Sequence, residues 1–270
     1  MDRIKTGIKG FDEIVEGGIP AGFNVLLTGS PGTGKTIFGL QYLYDGALNG
    51  ENGIYISLDS SEKRLKEQAK QFGWDFDNID GDGHVFFIEV PVDRVKINLF
   101  EIIEDAVKQT NSKRLVFDNI ASFVINCGQF VVPLNFFSES NDSKGKFSRY
   151  FGASESQENV LKGKTLYNTA PPEELSVKRT TYLIMRELET LNTTNLVIAF
   201  SDENNPQITF DGVSEFASDG IIALYNSLVG AQRLRTLSIL KMRDTHHSPY
   251  IHDFELTKDG VLVKPIEVVV

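Results

Sequence analysis

Short apolar runs alternate with longer amphipathic stretches along this chain. Phe23–Thr28 is a continuous apolar run of buried-strand length, and Ile37–Leu43 follows it with helix-like apolar spacing. Gly53–Asp59 is an alternating, β-branched strand ending in an acid. Ser61–Ala69 has a capping serine and an amphipathic pattern, closed by Phe72-Gly73-Trp74-Asp75. Val85–Val90 predicts another strand and Leu99–Val107 another helix. Lys113–Asp118 predicts a buried strand ending in aspartate. A helical pattern resumes at Val177 and runs to Leu188, followed by a strand at Thr194–Ser201. Arg233–Arg243 predicts a further strand. Ile251–Leu256 with Gly260–Val263 predicts a terminal hairpin. Strands alternating with helices predict an α/β fold: a mainly parallel twisted sheet flanked by helices, with antiparallel C-terminal strands.

The loop between the first strand and helix carries the sharpest chemistry. Gly29-Ser30-Pro31-Gly32-Thr33-Gly34-Lys35-Thr36 fits G-x-x-x-x-G-K-[ST], and Ile37 continues it into the helix. Glycines in such a loop let backbone N–H groups turn inward, and the helix N-terminus adds the positive end of its dipole. The pattern predicts a cradle for a nucleoside triphosphate such as ATP. Lys35 would reach the outer phosphates and the Thr36 hydroxyl would ligate Mg2+. Asp118, closing its apolar run, fits the carboxylate that holds the metal shell through water, the usual Walker B role.

At 270 residues the chain can bury one large α/β core, and no Pro-, Gly- or Ser-rich linker divides it, so residues 1–270 are expected to form one domain. No apolar run is long enough to cross a membrane, and Met1–Lys5 lacks the apolar core of a signal peptide. The single cysteine, Cys127, allows no internal disulfide, fits a small apolar position and suits a reducing cytoplasm. A net charge of −10 argues against tight binding to duplex DNA, which needs a basic face.

The lead-in to the phosphate loop widens the picture. Arg3–Ile14, with its T-G-I-x-G-F-D stretch, and then Gly17-Gly18-Ile19-Pro20-Ala21-Gly22 resemble the N-terminal segment of KaiC-type ATPases, members of the wider RecA/RadA group. The Phe72–Asp75 closure, Gly212–Ile222 and Arg233–His247 are similar to segments of that family too. The resemblance implies a RecA-like fold and a hexameric ring. It also implies that Lys241 and Arg243 act in trans on the γ-phosphate of a neighbouring subunit. Their period-2 spacing puts both on one strand face, as that role requires. Trp74 is expected to pack rather than stack on a ligand, and His246 and His247 are turn residues without metal-ligand spacing.

Four positions depart from the family pattern. Paired glutamates after the second strand become Asp59-Ser60. Asp59 retains the carboxylate of the water-polarising base but is shorter by roughly 1.5 Å. A misplacement of about 1 Å can cost on the order of 100-fold in rate, so slow hydrolysis or binding alone is expected. Glu62 is an alternative base, or simply an acid in a helix's first turn. Asn119 replaces a hydroxyl residue, and Asp244 replaces a turn glycine.

Between about Ile125 and Ser176 lies an insertion of roughly 50 residues, a length that points to function or disorder. It starts apolar and then mixes lysines and arginine with Phe147, Tyr150, Phe151 and Tyr167. A protein-partner contact, a single-stranded nucleic-acid groove and an inert insert are the three readings. The expected function is accordingly a KaiC-like ATP-binding protein and slow ATPase whose nucleotide state controls ring assembly and partner contacts. The alternative is a RadA-like accessory factor on single-stranded DNA. A tandem-domain autokinase is disfavoured by the single ATPase unit.

Overall fold

The computed structural model describes residues 1–90, 99–128, 173–201 and 208–266. Its centre is a nine-stranded sheet. In chain order the elements are β1 (Arg3–Ile4), a 3-10 turn at Asp12–Val15, β2 (Ile19–Pro20), β3 (Asn24–Gly29), α1 (Lys35–Leu48), β4 (Gly53–Ser57) and α2 (Glu62–Lys70). There follow β5 (Val85–Glu89), α3 (Leu99–Thr110), β6 (Arg114–Asp118), α4 (Ile120–Gly128), α5 (Glu173–Thr190) and β7 (Thr194–Phe200). The chain continues through α6 (Ser214–Ala217), β8 (Gly220–Val229), β9 (Gln232–Met242), β10 (Ile251–Thr257) and β11 (Gly260–Lys264).

The sheet order is β11-β10-β9-β8-β3-β7-β6-β4-β5. From β8 to β5 every pairing is parallel, whereas β9, β10 and β11 join antiparallel. β1 and β2 pair with each other as a separate ribbon. This is the expected mixed architecture.

Strand periodicity divides the core between the two faces of the sheet. Val25 and Leu27 of β3, Tyr55 of β4, Val116 of β6 and Leu196 and Ile198 of β7 pack with Phe38, Leu40 and Leu43 of α1 and Leu65 of α2. The alternate residues Leu26, Ile54, Ile56, Leu115, Phe117 and Val197 pack with α3, α4 and α5 through Ile103, Phe123 and Leu188. Gly39 of α1 lies against Val116, where an added Cβ would come within 3.0 Å of the valine methyl. Helix and sheet can therefore approach closely beneath the phosphate loop.

Most predicted boundaries hold within a residue or two. Ser61 caps α2, its side chain accepting from the Arg64 amide, and Gly73 ends that segment at a φ of 79°. Trp74 is buried and stacked between Phe72 and Tyr44, as expected of a packing residue. Two expectations change. α4 runs to Gly128, so the residues from Ile125, read as the start of the insertion, belong to a helix that also contains Cys127. Asn119 starts it, its side-chain oxygen accepting from the Ser122 amide at 2.8 Å. The helix expected from Val177 begins one turn sooner, at Glu173, directly after Pro171-Pro172, with two acids at its positive end. Residues 129–172 of the insertion, with its aromatic and basic positions, lie outside the described residues.

Candidate functional site

The site forms where β3, β6 and the start of α1 meet at the carboxyl edge of the parallel strands. Two glycines shape the loop. A Cβ on Gly29 would lie 2.5 Å from the Leu224 carbonyl oxygen, so β8 can pass this point only beside glycine. Gly34 takes a φ of 106° to begin α1, a backbone region that L side chains rarely adopt. Thr33 is buried and its hydroxyl donates to the Ser30 carbonyl at 2.9 Å, closing the loop on itself. Pro31 and Gly32 are the loop's exposed tip.

Lys35 is 5% exposed, and its ammonium donates to the Gly29 and Ser30 carbonyls at 2.6 and 2.9 Å. It also lies 4.7 Å from the centre of the Phe200 ring. Burial pulls its pKa down to about 8, against the opposing pull of the Asp118 carboxylate. Thr36, one residue on, donates its hydroxyl to Asp118 Oδ2 at 3.0 Å. Ile37 follows within α1, half-buried.

Asp118 reaches this point because it shares the strand face of Val116, the α1 side of the sheet. Tyr55 occupies the same face of neighbouring β4, and its hydroxyl donates to the same Oδ2 at 2.5 Å. Burial pushes the Asp118 pKa upward while these two donors pull it down. Burial likewise drives the Tyr55 phenol well above its ordinary value, with the Asp118 charge adding to the effect. A carboxylate and a threonine hydroxyl at hydrogen-bond distance are hard oxygen groups of the kind magnesium selects. The residues present therefore fit a Mg2+–nucleotide pair on geometry and donor chemistry.

Asp59 is exposed just beyond β4. Its Oδ2 accepts the Ser122 hydroxyl at 2.9 Å and a short hydrogen bond from the Asn119 side-chain amide. The carboxylate thus stands at the same edge as Asp118, tied to the start of α4. Glu62 instead pairs with Lys66 at 2.6 Å on the charged face of α2, and so is a first-turn acid of that helix.

Lys241 and Arg243 lie elsewhere. Lys241 pairs with Ile221, and Met242 with Gly220, which in turn sits beside Val25 near the start of β3. The phosphate loop leaves the other end of that strand, four residues or about 13 Å away. Lys241 donates to the Ser218 and Glu215 carbonyls at 2.5 and 3.3 Å, and Arg243 pairs with Asp219 at 2.9 Å. Both therefore engage the same 215–219 segment, at the far end of the sheet from their own loop. Asp244 takes a φ of 50°, so aspartate adopts the left-handed turn that the family glycine would supply. His246 and His247 fall in the irregular segment after that turn, and no group of three or more His, Cys, Asp or Glu side chains placed to ligate a metal ion occurs among the described residues. No helix among them is long and apolar enough to cross a membrane.

Sequence reasoning missed Tyr55, which reads as one more core residue of a β-branched strand. A phenol within an otherwise hydroxyl-poor buried run was the available signal. It also missed the bonds from Asn119 and Ser122 to Asp59, which join segments remote in the chain.

A glycine loop between β3 and α1, a buried lysine within it, and an aspartate at the tip of a nearby parallel strand define a RecA-like P-loop protein. The family described as "ATPase: KaiC" matches residues 4–130 and 166–268, and the chain belongs to it. The unmatched stretch falls within the insertion. A "UPF0273 protein" of Aeropyrum pernix is 30% identical over 285 residues, covering 100% of this chain and 96% of its own length. The "Circadian clock oscillator protein KaiC 1" of Synechocystis is 28% identical over 276 residues, covering 98% of this chain but 45% of its own. The chain thus spans less than half of that clock protein. The crystal structure of a KaiC-like protein from Pyrococcus horikoshii superposes with a TM-score of 0.72 at 28% identity, covering 98% of this chain and 99% of that one.

Proposed function

We propose that this chain binds ATP with Mg2+ at the carboxyl edge of its sheet, hydrolyses it slowly, and uses the bound nucleotide to control ring assembly and partner contacts. The observation that carries the reading is the 3.0 Å contact between the Thr36 hydroxyl and Asp118, two residues 82 apart in sequence. Backbone N–H groups from Gly32 to Thr36 and the Lys35 ammonium would take the phosphates. Thr36 and Asp118 would hold the metal, which supplies charge neutralisation at the phosphates.

Asp59 is the base in this reading. Its bonds to Asn119 and Ser122 hold a side chain already shorter than glutamate, which supports slow turnover. Lys241 and Arg243 stand too far from their own loop to serve it, so they would serve a neighbour's nucleotide. A head-to-tail interface of that kind closes into a ring, and a hexamer is the expected size. The whole of 1–270 would act as one domain, with the insertion as its partner-contacting element, in the cytoplasm. No described residue favours the alternative on single-stranded DNA.

Steady-state ATP hydrolysis by the purified protein tests this, beside Asp59→Ala and a Lys241→Ala/Arg243→Ala double variant. Slow phosphate release, lost in both variants, is expected. Asp59→Ala that turns over at the wild-type rate would remove Asp59 from the mechanism. A double variant at full rate would remove the trans-acting pair.

A further inference from the structure

Tyr55 is built into the site in a way that core packing does not require. Its ring is completely buried and stacked on Phe87, with centroids 5.8 Å apart and planes 25° from parallel. A phenylalanine would fill that space equally well. The hydroxyl adds one thing, a donor aimed at the carboxylate of Asp118.

The choice of oxygen matters. Among the described residues both hydrogen bonds to the Asp118 carboxylate, from Tyr55 and from Thr36, fall on Oδ2. Oδ1 accepts no hydrogen bond among the described residues. The terminal torsion of an aspartate is broad and weakly set by its own rotamer, so outside donors decide how the carboxylate is turned. The two donors differ in rigidity. Thr36 lies in the first turn of α1, on the phosphate loop, and is itself a candidate metal ligand. Tyr55 comes from a strand paired on both sides, with its ring held against Phe87.

We propose that Tyr55 is the positioning residue of the metal site, holding Asp118 through Oδ2 so that Oδ1 is presented to the loop, and that it thereby sets the Mg2+ affinity of the nucleotide complex. This rests on the reading of Thr36 and Asp118 as the metal-side pair. Groups that orient a metal-binding carboxylate cost about 10- to 100-fold in metal affinity when removed. Phosphate contacts come from the loop and Lys35, so affinity for metal-free nucleotide does not depend on the phenol.

Tyr55→Phe keeps the ring and its stack and deletes the donor. The protein is saturated in EDTA with a fluorescent, non-hydrolysable ATP analogue and then titrated with Mg2+. In Tyr55→Phe the Mg2+ midpoint should rise about tenfold, while affinity for the analogue in EDTA stays at the wild-type value. Phe87→Leu loosens the stack but retains the hydroxyl, and its midpoint should stay at the wild-type value. A Tyr55→Phe midpoint equal to wild type overturns the proposal. An equal loss in Phe87→Leu overturns it too, by assigning the effect to ring packing. A wild-type protein that binds the analogue yet ignores Mg2+ overturns the metal reading, and the positioning role with it. That result appears before any variant is compared, so the two failures are distinguishable.

Discussion

The two ends of the parallel sheet treat buried charge in opposite ways. At the amino end, Arg114 opens β6 almost completely buried, and its guanidinium meets Glu51 at 2.7 Å through both Nε and one terminal nitrogen. It also donates to the Tyr42 carbonyl at 2.7 Å and lies 4.8 Å from the Tyr42 ring centre. At the carboxyl end, Lys35 is held by backbone carbonyls and Asp118 by hydroxyls. Charges that have found opposite charge are structural; a lysine and an aspartate held by neutral dipoles retain charge for a ligand. Burial has a cost at both ends, and under the proposed function only the carboxyl end leaves part of it for a nucleotide and its metal to offset.

Breaking the amino end should have the largest effect on folding. Arg114→Ala leaves Glu51 and the Tyr42 carbonyl without their donor and should cost about 3 kcal/mol of stability, read by urea denaturation. Nucleotide affinity of the folded fraction should be unchanged, since this side chain lies at the other end of β6. At the carboxyl end, Lys35→Ala should weaken nucleotide binding about 100-fold, the loss expected for charged hydrogen bonds of about 3 kcal/mol. Its stability should hold or rise, because a buried cation is removed. A variant that unfolds instead would place Lys35 among the structural charges.

The smallest effect sharpens the comparison through pH. The Lys35 pKa is lowered to about 8 from an ordinary value of 10.5. Below about 8 the fold holds a buried cation, and between that value and 10.5 the unfolded chain binds more protons, so Lys35 adds to stability as pH rises. Nucleotide binding carries the opposite sign. Phosphates need the ammonium, so affinity should fall above pH 8, by up to about tenfold per unit. Titrations at neutral pH and at pH 9 with one fluorescent analogue check this. A flat profile would mean that Lys35 remains fully charged in the free protein.

Much of this was legible in the chain. The phosphate loop is contiguous, and its glycines, lysine and threonine act through local backbone geometry, so eight consecutive residues define it. The Asp118 position followed from an apolar run ending in acid, and the terminal hairpin from two short strand-like runs, whereas β8 was not read as a strand. The substitution of Asp59 for glutamate was visible as a shortened side chain. What tertiary structure alone decided is which groups meet. Tyr55 and Asp118 are 63 residues apart, and they touch because β4 inserts beside β6 with Ser57 in register with Asp118. Asn119 and Ser122 reach Asp59 through that same neighbouring of strands. Lys241 and Arg243 were placed on one strand face by their spacing. The register of β9 against β8 then set them about 13 Å of strand away from their own loop. A local pattern fixes backbone conformation and which face a side chain takes. Strand order and register are settled by how both faces of the whole sheet are buried, and they determine what that side chain touches.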